Sequence, residues 1–140
     1  MAEFHVTGLD ELMLSMQEIA EIPDDVKDQM LDAQANVVVA AQRSSAKSYG
    51  VQDTGLTISS IKKGRPKKRK GVRVLYVTPS GTRRRGKQVT RNAEIAFINE
   101  YGTRKKKARP FIRTANEACA EATTQAGFEV YHKWLKSKNL

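Results

Sequence analysis

Pro23 followed by Asp24 and Asp25 opens the segment that most constrains how this chain can fold. Proline suits the first turn of a helix, where its missing amide costs nothing, and two carboxylates favour the positive end of the helix dipole. Val26, Met30, Ala33, Val37, Ala40, Ala41 and Ser44 then recur at helical spacing and give one narrow face of apolar and small residues. The pattern predicts a helix from Asp24 to Ser48 that stops at Gly50, a rod of about 37 Å at 1.5 Å per residue. A rod of that length exceeds what a small compact core demands, and suits packing both within a subunit and against a neighbour.

The rest of the chain is read around this rod. Residues 3 to 7 alternate as a short strand, and Thr7 with Asp10 resembles a capping box before Leu9, Leu12, Met13, Met16, Ile19 and Ala20 at helical spacing. Leu56, Ile58 and Ile61 fit either a strand or one helical turn. Val72, Val74 and Tyr76 alternate with Arg73, Leu75 and Val77 as a strand buried mainly on one face, ended by Pro79-Ser80-Gly81. Thr82 to Arg91 reads as a polar loop. Asn92 to Tyr101 is assigned to a helix over a strand, because Ile95, Ile98, Phe97 and Tyr101 stand at separations of three and four. Pro110 opens the last helix, with Phe111, Ala115, Ala118, Ala122, Ala126, Val130 and Trp134 as its expected inner stripe, packed on the 24–48 helix. The predicted fold is a single α+β domain over residues 1–140, a long helix and a C-terminal helix packed on a small antiparallel sheet with extended basic hairpin loops.

Charge is distributed unevenly along this chain of net +10. Residues 1–61 hold ten acids and three bases, residues 62–109 hold eighteen bases against Glu94 and Glu100, and residues 110–140 hold four bases and three acids. Such polarity speaks to partners more than to fold. No apolar run is long enough to span a bilayer, and the first residues lack the basic and apolar blocks of a signal peptide, so the chain is expected in the cytosol when made, without a membrane partner. The lone Cys119 sits between alanines in a helical pattern and reads as a small reduced core residue. His5 and His132 have no carboxylate pair at ligand spacing, and neither a phosphate-binding glycine loop nor a nucleophile motif is present. No catalytic residue, metal ligand or cofactor is assigned, and the chain is not read as an enzyme.

Two pieces stand out near the end of the basic region. Ala96-Phe97-Ile98-Asn99-Glu100-Tyr101-Gly102-Thr103 is followed, after a run of bases, by Ala108-Arg109-Pro110-Phe111-Ile112-Arg113. Glu100 reads as a structural acceptor, capping nearby amides or pairing with a following base. Gly102 reads as a residue of positive φ that lets the chain reverse, and Pro110 and Phe111 as the start and core anchor of the last helix. Together with Phe4-His5-Val6-Thr7-Gly8-Leu9-Asp10-Glu11-Leu12 and Asp53-Thr54-Gly55 with Ser60-Ile61, this order of pieces resembles the head-tail joining family of long-tailed bacteriophages and prophages. The third piece departs from the family pattern, with an apolar residue at Leu56 in place of Thr57.

The resemblance implies a neck or tail-completion protein of the virion, made in the host cytoplasm and placed at the head-tail junction. It further implies a ring of identical subunits around the DNA path, a hexamer first and a dodecamer as the alternative. Head-side connector proteins would meet one face and the tail terminator or tube the other. An acidic and a basic half on one chain favour head-to-tail contacts, which close into rings when the rotation allows.

Three basic clusters are the candidate contacts: Lys67, Lys68, Arg69 and Lys70 at the tip of an expected long hairpin, then Arg83, Arg84, Arg85 and Lys87, then Arg104, Lys105, Lys106 and Lys107. Like charges at this density need solvent or an anionic partner, either acidic surfaces of other virion proteins or phosphates of genomic DNA. No aromatic residue interrupts the clusters, so any contact with DNA would be directed at the backbone and independent of sequence. Neutralising Arg83, Arg84 and Arg85 together is expected to leave folding nearly untouched. The alternative reading is a stand-alone, non-sequence-specific nucleic-acid-binding protein.

Overall fold

A computed structural model describes residues 22–51 and 56–138 of the chain. The expected strand over residues 3–7, the helix from Leu9 to Ala20 and the Asp53-Thr54-Gly55 piece lie outside them. Helix α1 runs Asp24–Ser48, as its sequence predicts. The Pro23 carbonyl accepts the amides of Val26 and Lys27 at 3.1 and 3.0 Å, so the proline starts the helix without an amide of its own to satisfy. At the other end Gly50 takes φ 73° and the Val51 amide returns to the Ala46 carbonyl at 2.9 Å, which tucks Val51 into the core.

The short ambiguous piece is both of its alternatives. One turn of helix, α2 (Leu56–Ser60), leads directly into strand β1 (Ile61–Lys63). Strands β2 (Lys67–Arg69) and β3 (Val72–Val74) then pair antiparallel, and β4 (Val77–Pro79) returns to β1 with Ile61 opposite Pro79 and Lys63 opposite Val77. The whole is one long hairpin whose tip, Lys70-Gly71, has positive φ at both residues, the geometry that matches strand twist. Its two ladders are separated where Gly64-Arg65-Pro66 face Leu75-Tyr76. Three residues oppose two and Pro66 has no amide to donate, so the strand expected through residue 77 is broken there.

The expected polar loop between Thr82 and Arg91 is instead a second hairpin, β5 (Thr82–Arg85) with β6 (Gln88–Arg91). Gly86, at φ 59°, opens its two-residue turn. Helix α3 (Asn92–Tyr101) follows, and helix α4 (Phe111–Ser137) closes the described chain. The fold is therefore α+β, two long helices with short antiparallel ladders.

Helices α1 and α4 lie antiparallel and pack along their length. Ile22 and Val26 meet Tyr131, Trp134 and Leu135 at one end. At the other, Ala46, Val51, Ile61, Ala96 and Phe111 form the main cluster, with Val39, Ile58, Val77 and Ile112 against it. Between them Gly127 faces Gln34 so closely that a Cβ there would stand 2.7 Å from the amide nitrogen. The inner row of α4 is Phe111, Ala115, Cys119, Gly127 and Tyr131, all buried, with Thr123 half-buried among them. Ala118 and Ala122, expected inside, are exposed, as are Ala40 and Ser44 of α1. From Ala115 the contact steps by four to Cys119 and not by three to Ala118, so the parallel row that begins at Ala118 is set to one side of it.

Candidate functional site

The Glu-Tyr-Gly-Thr segment and the Arg-Pro-Phe segment fold as one clasp joining α3 to α4. The Glu100 carboxylate accepts the amides of Ile112 at 2.8 Å and Arg113 at 3.0 Å, so it caps the start of α4 across the loop. The carboxylate thereby meets the positive end of the helix dipole. Gly102 adopts φ 74° and ψ 179°, and its amide closes α3 onto the Ile98 carbonyl at 2.8 Å. Thr103 accepts the amides of Lys105 and Lys106 at its hydroxyl, 3.3 and 3.1 Å, and its own amide reaches the Lys106 carbonyl at 2.8 Å. The Arg109 amide binds the Asn99 carbonyl at 2.6 Å and its guanidinium the Gly50 carbonyl at 3.1 Å, which ties the loop to the end of α1. Pro110 caps α4 and Phe111 drops into the main core with no exposed surface. The Glu100, Gly102 and Phe111 expectations all hold.

Tyr101 is the member of this segment that points outward. It is 69% exposed, and Phe97, one turn earlier, is 63% exposed, their ring centroids 4.7 Å apart. The pair overhangs an open groove of about 670 Å³ with Ala93, Ala96, Pro110 and Ile112 on its walls and Arg113 and Glu117 of α4 at its far side. In the sequence, Phe97 belongs to the helical apolar pattern of 92–101, which does not separate it from the core residue Ala96.

The basic clusters diverge in their surroundings. Lys67, Lys68, Arg69 and Lys70 are exposed on the first hairpin. Lys67 stands 5.0 Å from the Tyr76 ring centroid and Arg69 donates to the Tyr76 hydroxyl, so an aromatic residue does accompany this cluster in space. The hairpin is pinned to the acidic helix by Lys63 with Asp32 at 2.7 Å and by a bidentate pair of Arg73 with Asp28 at 2.8 and 2.6 Å. The hydrogen bond that Arg73 donates to Asp28, with the charges of Asp28 and Asp24, holds the guanidinium above its ordinary pKa. Two acids of the negative half are thus used within the subunit. Arg104, Lys105, Lys106 and Lys107 lie exposed on the clasp beside Tyr101.

Arg83 departs from its cluster. It is half-buried, donating to Asn92 Oδ1 at 3.0 Å and to Thr57 Oγ1 at 2.7 Å, while Asn92 in turn donates to the Ser80 carbonyl at 2.9 Å. Thr57 and Asn92 are 1% and 6% exposed, so Arg83 satisfies polar groups that water does not reach. Arg84 and Lys87 remain exposed, and Arg85 ends β5 opposite Gln88. This corrects the expectation that Arg83, Arg84 and Arg85 can be neutralised together with folding nearly untouched. Arg83→Ala should cost about 1 to 3 kcal/mol, the penalty of leaving buried polar partners unmatched. Arg84→Ala should change stability by less than about 0.5 kcal/mol. Urea unfolding of the two variants checks the difference, and equal midpoints would remove the structural role given to Arg83.

Among the described residues no group of three His, Cys, Asp or Glu side chains is placed to hold a metal ion. Cys119 is buried with a free thiol, and His132 stacks on Phe128 at 6.1 Å. No described helix is long and apolar enough to cross a membrane. Compared with known protein families, curated proteins and solved structures, the chain matches none.

Proposed function

We propose that this chain is a structural component of a long-tailed phage particle, acting at the head-tail junction by assembly and without turnover. The observation that carries the reading is the clasp. The segments on which the family resemblance rests, Glu100 to Thr103 and Arg109 to Phe111, form one hydrogen-bonded unit in which the carboxylate caps the helix that the Arg-Pro-Phe segment opens. The exposed cations of the first hairpin, of Arg84 and Lys87, and of the clasp loop supply surfaces for anionic neighbours, acidic protein or the backbone of passing DNA. A ring of identical subunits around the DNA path, contacting connector proteins on one side and the tail on the other, is the arrangement that this reading assigns to the protein.

Electron microscopy of particles assembled without the protein tests it. Filled heads and finished tails that fail to join are expected, with joining restored by the wild-type chain. Normal joined particles in its absence would overturn the reading. That result, together with DNA affinity of the isolated protein that falls steeply with salt yet persists near physiological strength, would favour a stand-alone nucleic-acid-binding protein instead.

A further inference from the structure

The groove under Phe97 and Tyr101 is unfilled by the described chain, and its surroundings point to what fills it. Two adjacent rings at 63% and 69% exposure, with Ile98 at 40%, make an apolar projection at the rim of the groove. Immediately beyond Tyr101 stand four exposed cations, Arg104 to Lys107. A matching surface should therefore be flat and apolar at its centre and acidic at its border.

The outer face of α4 has that character. Ala118, Ala122 and Gln125 are exposed along it, Phe128 is 48% exposed at its margin, and Glu121 and Glu129 are exposed on the same side. At about 100° per residue, the Ala118–Ala122 row lies roughly half a turn around α4 from the mean direction of Ile112, Arg113, Asn116 and Glu117, which line the groove, while Glu121 stands on the border between the two, one turn beyond Glu117. Groove and outer face therefore belong to different sides of one subunit, the condition for a head-to-tail contact in place of a two-fold one.

We propose that the groove beneath α3 receives the outer face of α4 from a second copy of this chain. The Phe97 and Tyr101 rings lie against Ala118 and Ala122, where no side chain longer than a methyl obstructs them, and Arg104 to Lys107 meet Glu121 and Glu129. The proposal rests on the assembly reading above, and it names the two surfaces through which copies join. It accounts for alanines that α4 leaves outside its own core, and for Glu121 and Glu129, which take part in no ion pair among the described residues.

Two full-length variants test it, one for each face: Phe97→Asp in the groove and Ala122→Arg on the outer helix. Both positions are exposed, and circular dichroism with thermal melting establishes that each variant folds. Sedimentation of the wild type at low salt should show self-association. Each variant alone should need at least about tenfold more protein to associate, as truncation of a central aromatic anchor does. An equimolar mixture should form a dimer of one chain of each kind and nothing larger, because one intact groove and one intact helix face remain between them. A mixture that stays monomeric, variants that associate like the wild type, or a wild type that never associates would each overturn the proposal. Association through another surface would leave the head-tail reading standing, since that reading is judged separately by the joining of particles.

Discussion

Phe111→Ala should be among the most destabilising single truncations in the described chain, at about 3 to 5 kcal/mol. Phe111 has no exposed surface and shares one buried cluster with Ala46, Val51, Ile61 and Ala96, which come from α1 and the turn after it, the first strand and α3. Its partners are small or rigidly placed. Two are alanines with no longer side chain to move into the space, and Ile61 is held by pairing with Pro79 and by Arg43 donating to its carbonyl at 3.1 and 2.7 Å. A cavity left there should therefore persist, the condition under which the cost approaches its upper range. Since domains of this kind are stable by only about 5 to 15 kcal/mol, the variant should be substantially unfolded in mild denaturant. Phe97→Ala, removing the same side chain from an exposed position, should leave the monomer's unfolding midpoint nearly unchanged. A loss below about 1 kcal/mol for Phe111→Ala, read from urea unfolding, would show that the α4 anchor lies elsewhere.

The contrast between Phe97 and Phe111 marks what the sequence could and could not carry. Punctuation was legible. Pro23-Asp24-Asp25 and Pro110 mark helix starts and Gly50 and Gly102 mark reversals, because each follows from backbone chemistry local to the residue. Glu100, by contrast, reads equally as a cap or as a partner for a following base, and its choice of the Ile112 and Arg113 amides depends on where the loop returns. Rotational setting was not. Alanine is compatible with either face of a helix, so Ala115, Ala118, Ala122 and Ala126 gave no direction, whereas the true row runs through Cys119, Thr123 and Gly127, chosen by how closely α1 approaches. The second hairpin was hidden for a related reason. A ladder polar but for the exposed Val89 lacks the apolar alternation by which strands are recognised, although Gly86-Lys87 marks its turn. Once that hairpin is known, strand alternation explains why Arg83 turns inward and Arg84 outward, a distinction that three identical residues in a row cannot display.

Gly102→Val should destabilise the protein on the order of 2 to 5 kcal/mol, from two costs that act together. The backbone at φ 74° and ψ 179° lies in a region that only glycine enters freely. A Cβ there would also stand 2.7 Å from both the Ala108 amide nitrogen and the Lys106 carbonyl oxygen, which are backbone atoms of the same clasp and cannot swing aside. Gly102→Ala should therefore cost nearly as much as valine, because the contact is made by the first carbon and the β-branch adds little to it. Glu100→Gln should be much milder, since the amide keeps one acceptor oxygen for Ile112 or Arg113 and loses chiefly the charge facing the helix dipole, about 1 kcal/mol. The two changes should also fail to add: if the clasp has opened in Gly102→Val, Glu100 no longer caps α4, and a second change at Glu100 has little left to remove. Unfolding midpoints of the two single variants and the double variant measure this coupling. Additive losses would mean that Gly102 shapes only its own turn, whereas a double variant no worse than Gly102→Val would establish that one glycine holds the helix cap, the basic loop and the aromatic overhang in register.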